Sequence, residues 1–314
     1  MFYVKKLATM VATILLVTLL SFLAFSIIPG DAARLALGTE ATEEQVEALR
    51  EEMGLNENVF VRYGKWVAGI FRGDLGESTY YNKPVASLVG EKIAVTLFLS
   101  GLAMLIIIVV SIPLAVFMSR KEGGAAEKLC NAFGRIVMAI PSFLTGILLI
   151  YIFVYTLKTF TRFRYVSYKK DWGDFLTFMI LPAVAIALPK IAMVINFLHA
   201  NLIKEMNKDY TRTLRTMGKS RDYILWRHAL RNAMLPTVTF IGIVAAEVLA
   251  GSIIIEQVYN IPGLGRLLVQ AITQRDYNVT QAIVLYIATI VVVVNFVVDM
   301  LYRVLDPSLK GGKS

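Results

Sequence analysis

The chain has 314 residues, of which 57% are hydrophobic and only 18% are charged, and its mean hydropathy is +0.63. Soluble domains carry about 25% charged residues, so this is the composition of a membrane protein. Its net charge of +9 then fits loops that face an anionic leaflet, without nucleic acid as a partner. A single cysteine, Cys130, excludes an internal disulfide, and with only His199 and His228 besides, no Cys/His metal cluster can form.

The first apolar segment runs from residue 7 to residue 28, after Lys5 and Lys6. At 1.5 Å per residue it is about 33 Å long, which is enough to cross a bilayer core. A cleaved signal peptide is the alternative, because the basic start also fits that interpretation. The run is longer than the apolar part of a signal peptide, and Ile28-Pro29-Gly30-Asp31 lacks the A-x-A cleavage pattern. We therefore expect an uncleaved first span.

Residues 29–92 form the one sizeable polar region, and its signals are those of short helices. Thr42 and Gln45 make a capping-box pattern, and Gly54 stops the helix that follows. A second amphipathic helix ends at Gly73, and Pro84 suits the first turn of a third helix that enters the membrane. The segment is either a cap on the membrane face or a docking surface for an external partner, and the two interpretations are compatible.

Five further spans are predicted at roughly 93–118, 134–157, 176–199, 234–256 and 281–304. Their orientation follows from the positive-inside rule. Residues 200–233 alone hold eight Lys and Arg residues, against five at 158–175 and two at 257–280. The cation-rich loop and both termini are therefore predicted to face the cytoplasm. The chain divides into an N-terminal span (1–28), an extracytoplasmic helical segment (29–92) and a five-helix core (93–314) that includes the loop 200–233.

The cytoplasmic loop continues to Pro236 and reads as a helical hairpin. Asp209 is predicted to cap a short helix over residues 210–217, and Gly218 closes that helix in the left-handed conformation. Ser220 can cap a second helix, which runs until Pro236 marks the next segment. Two short helices hinged at residues 218–220 would form a rigid polar surface outside the membrane.

Other interpretations of the hairpin are weaker. Gly218-Lys219-Ser220 imitates the end of a P-loop, but Thr213 stands where that motif needs glycine, and no strand precedes it. A cationic helix-turn-helix also suggests DNA, which the flanking spans disfavour. A merely solvated, positive-inside loop stays open on these grounds alone.

Two charged residues lie well inside predicted spans. Lys190 follows Pro189 in the fourth span, and Glu247 lies in the fifth. Pro182 and Pro189 remove backbone hydrogen bonds and can kink the fourth helix around a cavity. Ionisable residues inside a membrane are functional candidates, so Lys190 and Glu247 either form a buried ion pair or line a translocation path.

Short motifs recur in order along the chain and carry a family resemblance. They lie at residues 28–31, 42–50, 53–55, 73–78, 209–213, 227–236, 261–267, 275–277 and 306–307, with Gly218 and Glu256 between them. Each motif alone is weak, but their order and their positions between the spans make the set specific. Over nearly its full length the chain resembles a permease subunit of the dipeptide/oligopeptide/nickel class of ABC importers.

The resemblance implies an all-α membrane protein with six transmembrane helices, the type I ABC importer permease fold. It also implies a pore-forming subunit in a bacterial plasma membrane that translocates di- or oligopeptides and has no catalytic residues of its own. The implied partners are a homologous second permease, two cytoplasmic ATPase subunits that bind ATP and Mg, and an extracytoplasmic substrate-binding protein. No cofactor is expected on this chain. Nickel or another small solute is the alternative cargo.

The resemblance places the coupling to the ATPase in one stretch: Thr211, Arg212, Thr213, Leu214, Arg215, Thr216, Met217 and Gly218. The chain departs from the family at Thr216 and Met217, where small residues and a lysine are common. It departs again at Asn196 and His199, where the family often carries arginines. An ion-coupled carrier that uses Lys190 and Glu247, and a membrane scaffold that uses only the hairpin, are the alternatives from other classes.

Overall fold

The computed structural model describes residues 2–27, 32–38, 41–52, 54–120, 123–159 and 163–305. Over these ranges the chain is helical, and the one β-type contact is an isolated bridge between Glu77 and Pro84. Five helices are long and apolar enough to cross a membrane, and a bent pair of helices raises that number to six. The all-α prediction with six spans is confirmed. The motifs at 28–31 and 306–307, and Met53, lie outside the described residues.

The helices are numbered here in chain order. The first five are α1 (Phe2–Ile27), α2 (Ala32–Leu37), α3 (Glu43–Glu52), α4 (Val59–Phe71) and α5 (Val85–Ser119). Next come α6 (Ala125–Ala139), α7 (Ser142–Leu149, prolonged by π-helical turns over Ile150–Thr156) and α8 (Trp172–Met206). The remainder are α9 (Asp209–Thr216), α10 (Arg221–Ile224, prolonged by π-helical turns over Leu225–Ala229), α11 (Leu230–Val258), α12 (Leu264–Thr273) and α13 (Tyr277–Leu305).

The chain separates into two compact units. The first unit comprises Met1–Thr96 and Pro262–Val292, and the second comprises Leu97–Ile261 and Val293–Ser314. Residues 262–292 thus belong to the same unit as the N-terminal part of the chain. The predicted segments 1–28, 29–92 and 93–314 do not include this grouping. The positions of the predicted segments relative to the membrane remain predictions.

Local signals in the first unit hold as predicted. The backbone N–H of Thr42 donates to the Gln45 side chain at 3.0 Å, and the Gln45 N–H donates to the Thr42 hydroxyl at 3.3 Å, which is a complete capping box. Gly54 and Gly73 take the left-handed conformation at φ +64° and +78° after α3 and α4. The helix α5 begins directly after Pro84, as expected.

A buried carboxylate joins two of the sequence motifs in the first unit. Asp276 is completely buried and accepts a hydrogen bond from the Ser78 hydroxyl. It also accepts from the backbone N–H groups of Tyr80, at 3.4 Å, and Val279, at 3.3 Å. The Asn278 side chain donates to the carbonyl of Glu77 at 2.8 Å. These bonds hold the loop 73–84 against the start of α13.

The second unit is built around α8. In its most apolar window 61% of the residues are buried, against 33% in each of the long helices that contain α5 and α11, so α8 is the central element. It is a continuous helix through Pro182 and Pro189, and a kink at either proline stays a prediction. The helices α6, α7 and α11 pack against it.

The third predicted span, 134–157, is wrong as a single helix. α6 and the helix that begins at Ser142 meet at an angle of 101°. Ile140 at the junction is extended, with φ −90° and ψ 121°. The break falls at Pro141, and a proline disfavours the helical conformation for the residue before it.

Candidate functional site

The hairpin contains one detached short helix, α9, which ends as the sequence predicts. Gly218 takes φ +80°. Its N–H donates to the carbonyl of Arg215 at 2.9 Å, and the N–H of Lys219 donates to the carbonyl of Leu214 at 3.1 Å. This pair of bonds is the Schellman motif, which ends helices at a left-handed residue. A Cβ atom on Gly218 would meet nothing within 4 Å, so the backbone conformation, not space, requires glycine.

The predicted cap at Asp209 is wrong. Lys208 occupies the N-cap position, and Asp209 lies in the first turn of α9 with its side chain 95% exposed. The reason is Thr211, which is buried and whose hydroxyl lies 2.7 Å from the carbonyls of Met206 and Lys208. These contacts fix the turn between α8 and α9 one residue earlier. The acidic Asp209 still favours the helix start through the helix dipole.

The second helix of the hairpin is not a short one. Ser220 does cap it, since its hydroxyl accepts from the N–H of Tyr223 at 3.2 Å. The helix then continues from α10 through the π-helical turns into α11, and Pro236 lies inside it. Two short helices were therefore the wrong prediction, because the second is the start of the fifth span.

The structure sorts the eight predicted coupling residues into two groups. Thr211 is buried, and Leu214 is half-buried against a core formed by residues such as Leu198 and Ile224. These two residues anchor α9. The other six form its exposed surface: Arg212, Thr213, Arg215, Thr216, Met217 and Gly218. A partner that seats on α9 can therefore touch two arginines and the apolar Met217, which is 68% exposed.

Sequence reasoning missed the residue that braces α9. The carboxylate of Glu205, which is buried at the end of α8, accepts from the Lys208 ammonium group at 2.6 Å and from the Tyr210 hydroxyl at 3.0 Å. The Asn232 amide of α11 lies 3.4 Å from the same carboxylate. Burial raises the pKa of Tyr210, and the neighbouring Glu205 carboxylate acts in the same direction, while the bond from Asn232 opposes it. Glu205 thus connects α8, α9 and α11 through one acidic group.

A second polar bridge was also missed. The His199 ring joins the Ser119 hydroxyl, at 2.8 Å from Nδ1, to the Glu127 carboxylate, at 3.2 Å from Nε2. Arg221, the first residue of α10, donates to the carbonyl of Ser119 at 3.3 Å. Ser119 is completely buried and its hydroxyl also lies 2.8 Å from the carbonyl of Ala115. The arrangement therefore ties α5, α6 and α8 to α10 and does not present a nucleophile to a substrate.

The structure brings Lys190 and Glu247 together. The ammonium nitrogen of Lys190 in α8 lies 2.5 Å from a carboxylate oxygen of Glu247 in α11. The Lys190 side chain is 21% exposed and the Glu247 side chain is 41% exposed, so the pair is only partly buried within this chain. On the same two helices the rings of Phe197 and Phe240 stack, with centroids 4.2 Å apart. The pair therefore lies at the contact between α8 and α11, and the Glu247 side chain stays partly exposed.

Long apolar helices joined by a cation-rich hairpin, with one exposed short helix, are the features of a multi-pass membrane protein. Residues 111–311 match the family described as binding-protein-dependent transport system inner membrane component, and residues 1–100 match the N-terminal family of such components. The chain belongs to this family. It is the permease subunit of an ABC importer and a multi-pass inner membrane protein.

Named relatives match almost end to end. The chain is 32% identical to a probable peptide ABC transporter permease of Sinorhizobium fredii, over 98% of this chain and 99% of the relative. It is 35% identical to a putative peptide transport system permease of Brucella abortus, over 98% of both chains. It is 30% identical to a glutathione transport system permease of Escherichia coli, again over 98% of both. The resemblance inferred from the motifs is confirmed.

Proposed function

We propose that this subunit forms part of the pore of an importer for short peptides. The support is the naming of its relatives, which are called peptide or glutathione permeases. Glutathione is itself a small peptide, so both names agree on the chemical class of the cargo. In the proposed assembly the chain pairs with a second, homologous permease and receives its cargo from an extracytoplasmic binding protein. Two ATPase subunits bind ATP and Mg and supply the energy.

The observation that supports the ATPase partnership best is the design of α9. It is detached from the spans on both sides, anchored by Thr211 and Leu214 and braced by Glu205. Its exposed surface carries Arg212 and Arg215 beside Met217. A rigid helix with cations around an apolar residue suits a cleft with an apolar floor and an acidic rim. We infer that α9 is the coupling helix that seats in the ATPase.

The proposed orientation follows from the distribution of cations. The segment 200–233 holds eight Lys and Arg residues, so it lies in the cytoplasm under the positive-inside rule. With six spans, both termini are then cytoplasmic, and α2, α3 and α4 lie on the outer side. These helices would meet the substrate-binding protein.

Reconstitution tests this function directly. The chain, its companion permease and the two ATPase subunits are assembled in proteoliposomes, and uptake of labelled trialanine is measured with the binding protein outside. We expect uptake that requires ATP and the binding protein and that survives collapse of the proton gradient. Uptake that persists without ATP and stops when the proton gradient collapses would identify an ion-coupled carrier instead.

A further inference from the structure

The first unit contains a cavity of about 590 Å³ that the proposed function does not use. Its apolar wall comes from Leu37, Leu49 and Leu55, and its polar wall includes Arg62, Glu77 and Tyr277. This volume lies within the range of about 300–1,000 Å³ that is typical of small-molecule sites. A mixed lining with a few charged groups is also typical of such sites. The cavity therefore has the size and chemistry of a ligand site.

Arg62 contributes a positive charge to the lining of this cavity. The guanidinium carbon lies 5.5 Å from the centroid of the Phe22 ring, which covers one side. Among the residues that the structure describes, none accepts a hydrogen bond from the guanidinium. Burial lowers the pKa of Arg62, and the nearby Glu57 and Tyr277 oppose that shift. Guanidinium groups stay protonated in proteins, so Arg62 offers a partly buried cation that can bind an anion.

Glu77 supplies the opposite charge without pairing to Arg62. Within the described part of the chain, its exposed carboxylate has neither an ion pair nor a hydrogen-bond donor. The backbone of Glu77 is nevertheless fixed, because Asn278 donates to its carbonyl at 2.8 Å and Ser78 bonds to the buried Asp276. A cavity lined by a cation and a carboxylate that do not pair with each other can bind a ligand that carries both charges.

We propose that this cavity binds a short zwitterionic peptide, with the peptide carboxylate on Arg62 and the peptide ammonium group on Glu77. The leucines then receive its side chains. A guanidinium and a carboxylate form paired, charge-assisted hydrogen bonds, which are stronger than neutral ones. The proposal rests on the proposed function, which places the cavity on the outer side, where the binding protein releases cargo. The chain thus holds the peptide before it enters the pore.

The test uses the complete permease–ATPase complex in nanodiscs without the binding protein, and calorimetric titration with trialanine, trialanine amide and N-acetyl-trialanine. We expect wild type to bind trialanine more tightly than either blocked peptide. Arg62→Gln is expected to weaken trialanine binding about ten- to a hundredfold and to abolish the preference over the amide. Glu77→Gln is expected to abolish the preference over the acetylated peptide.

Two further variants test whether a loss of peptide binding comes from a structural defect and not from loss of the binding group. Arg72→Gln removes an exposed cation at the end of the same helix and outside the cavity lining, and should leave binding unchanged. Arg62→Lys retains the charge and should keep part of the preference for a free carboxylate, even if Arg62→Gln fails to assemble. Equal affinities of the three peptides for wild type, or no saturable trialanine binding, overturn the site.

Peptide uptake by the same complexes separates this site from the transport function. If ATP-driven trialanine uptake is normal while Arg62→Gln binds all three peptides like wild type, the site is refuted and the importer stands. If the wild-type complex imports no peptide, the proposed transport function fails, and the three-peptide titration still decides the site.

Discussion

The carboxylate of Glu205 lies 3.0 Å from the hydroxyl of Tyr210, so a buried acid at the end of α8 holds the first turn of the exposed helix α9. The same carboxylate binds Lys208, and Asn232 of α11 lies 3.4 Å away. A force applied to α9 is therefore transmitted to two spans through one group. Glu205 thus connects α9, the proposed coupling helix, to the long helices α8 and α11.

We predict that Glu205→Ala uncouples ATP hydrolysis from uptake. Its removal leaves the polar groups of Tyr210, Lys208 and Asn232 without their shared acceptor, at a cost of about 1–3 kcal/mol in stability. The measurement is the ratio of peptide imported to ATP hydrolysed, together with the thermal midpoint of the purified subunit. Asp209→Ala is the matched control, because the Asp209 side chain is 95% exposed. Equal ratios in the two variants would show that Glu205 does not brace α9.

A second prediction concerns the end of α9. Gly218→Val should abolish uptake while the subunit still inserts, because a β-branched residue is strained at the φ of +80° that Gly218 takes. The strain is roughly 1–2 kcal/mol. Gly218→Asn is the control, since asparagine tolerates this conformation and the position is sterically open. Wild-type uptake by the valine variant would refute Gly218 as the hinge.

Whether a structural feature could be predicted depends on how far apart in the sequence its interacting residues are. Thr42 and Gln45, Gly218 and Ser220 were predicted correctly, because caps and turns act within four residues. The prediction of a cap at Asp209 was wrong because the buried Thr211 decides where α9 begins. The residue at which α9 begins therefore depends on side-chain packing, and local helix propensity carries no information about packing.

Contacts between distant residues could not be predicted in the same way. Ser119 and His199 are 80 positions apart, and Ser78 and Asp276 are 198 apart. No periodicity or spacing pairs such residues, and a single sequence offers no covariation to do so. The break at Pro141 is only partly predictable, because a proline disfavours a helical residue before it, yet Pro182, Pro189 and Pro236 lie inside continuous helices. For Lys190 and Glu247 the sequence offered an ion pair as one of two alternatives, because charges deep in a membrane need a partner or water.

The third prediction concerns α3 and α4. Deletion of residues 42–72 removes α3 and α4, and with them Tyr63, whose hydroxyl lies 2.9 Å from the Thr18 hydroxyl and from the carbonyl of Leu15 in α1. We expect the deleted subunit to lose capture of the binding protein and part of its uptake. Tyr63→Phe is a milder variant that should reduce stability only. A deletion variant that assembles and transports normally would rule out a docking role for this segment.

A fourth prediction tests helix packing in the second unit. A Cβ atom on Gly242 of α11 would lie 2.8 Å from a methyl group of Val298 in α13, so Gly242→Ala should destabilise the subunit by about 1–3 kcal/mol. Gly251 lies on the same helix, and a Cβ there meets nothing within 4 Å. Gly251→Ala is therefore expected to be neutral or slightly stabilising. Equal thermal midpoints for the two variants would contradict the close α11–α13 contact.

The last prediction separates the two roles of the intramembrane pair. Lys190 and Glu247 are 2.5 Å apart, and removal of one leaves the other charge without its partner. On insertion scales an unpaired charge at mid-membrane costs about 2.5–3.5 kcal/mol. Since the Glu247 side chain is 41% exposed in this chain, we expect a smaller coupling energy, about 1–2 kcal/mol, than a fully buried pair would give.

Lys190→Met and Glu247→Gln should therefore each reduce assembly or uptake more than the double variant does. Lys204→Met, at the exposed end of α8, controls for the loss of a cation alone. The measurements are the yield of assembled complex and the rate of peptide uptake for all four variants. Additive losses in the single variants would reject the ion pair as a stabilising unit. Normal assembly with severe loss of uptake in each single variant would instead assign the two residues separate roles along the translocation path. In that case the charges would be needed for transport and not for the stability of the complex.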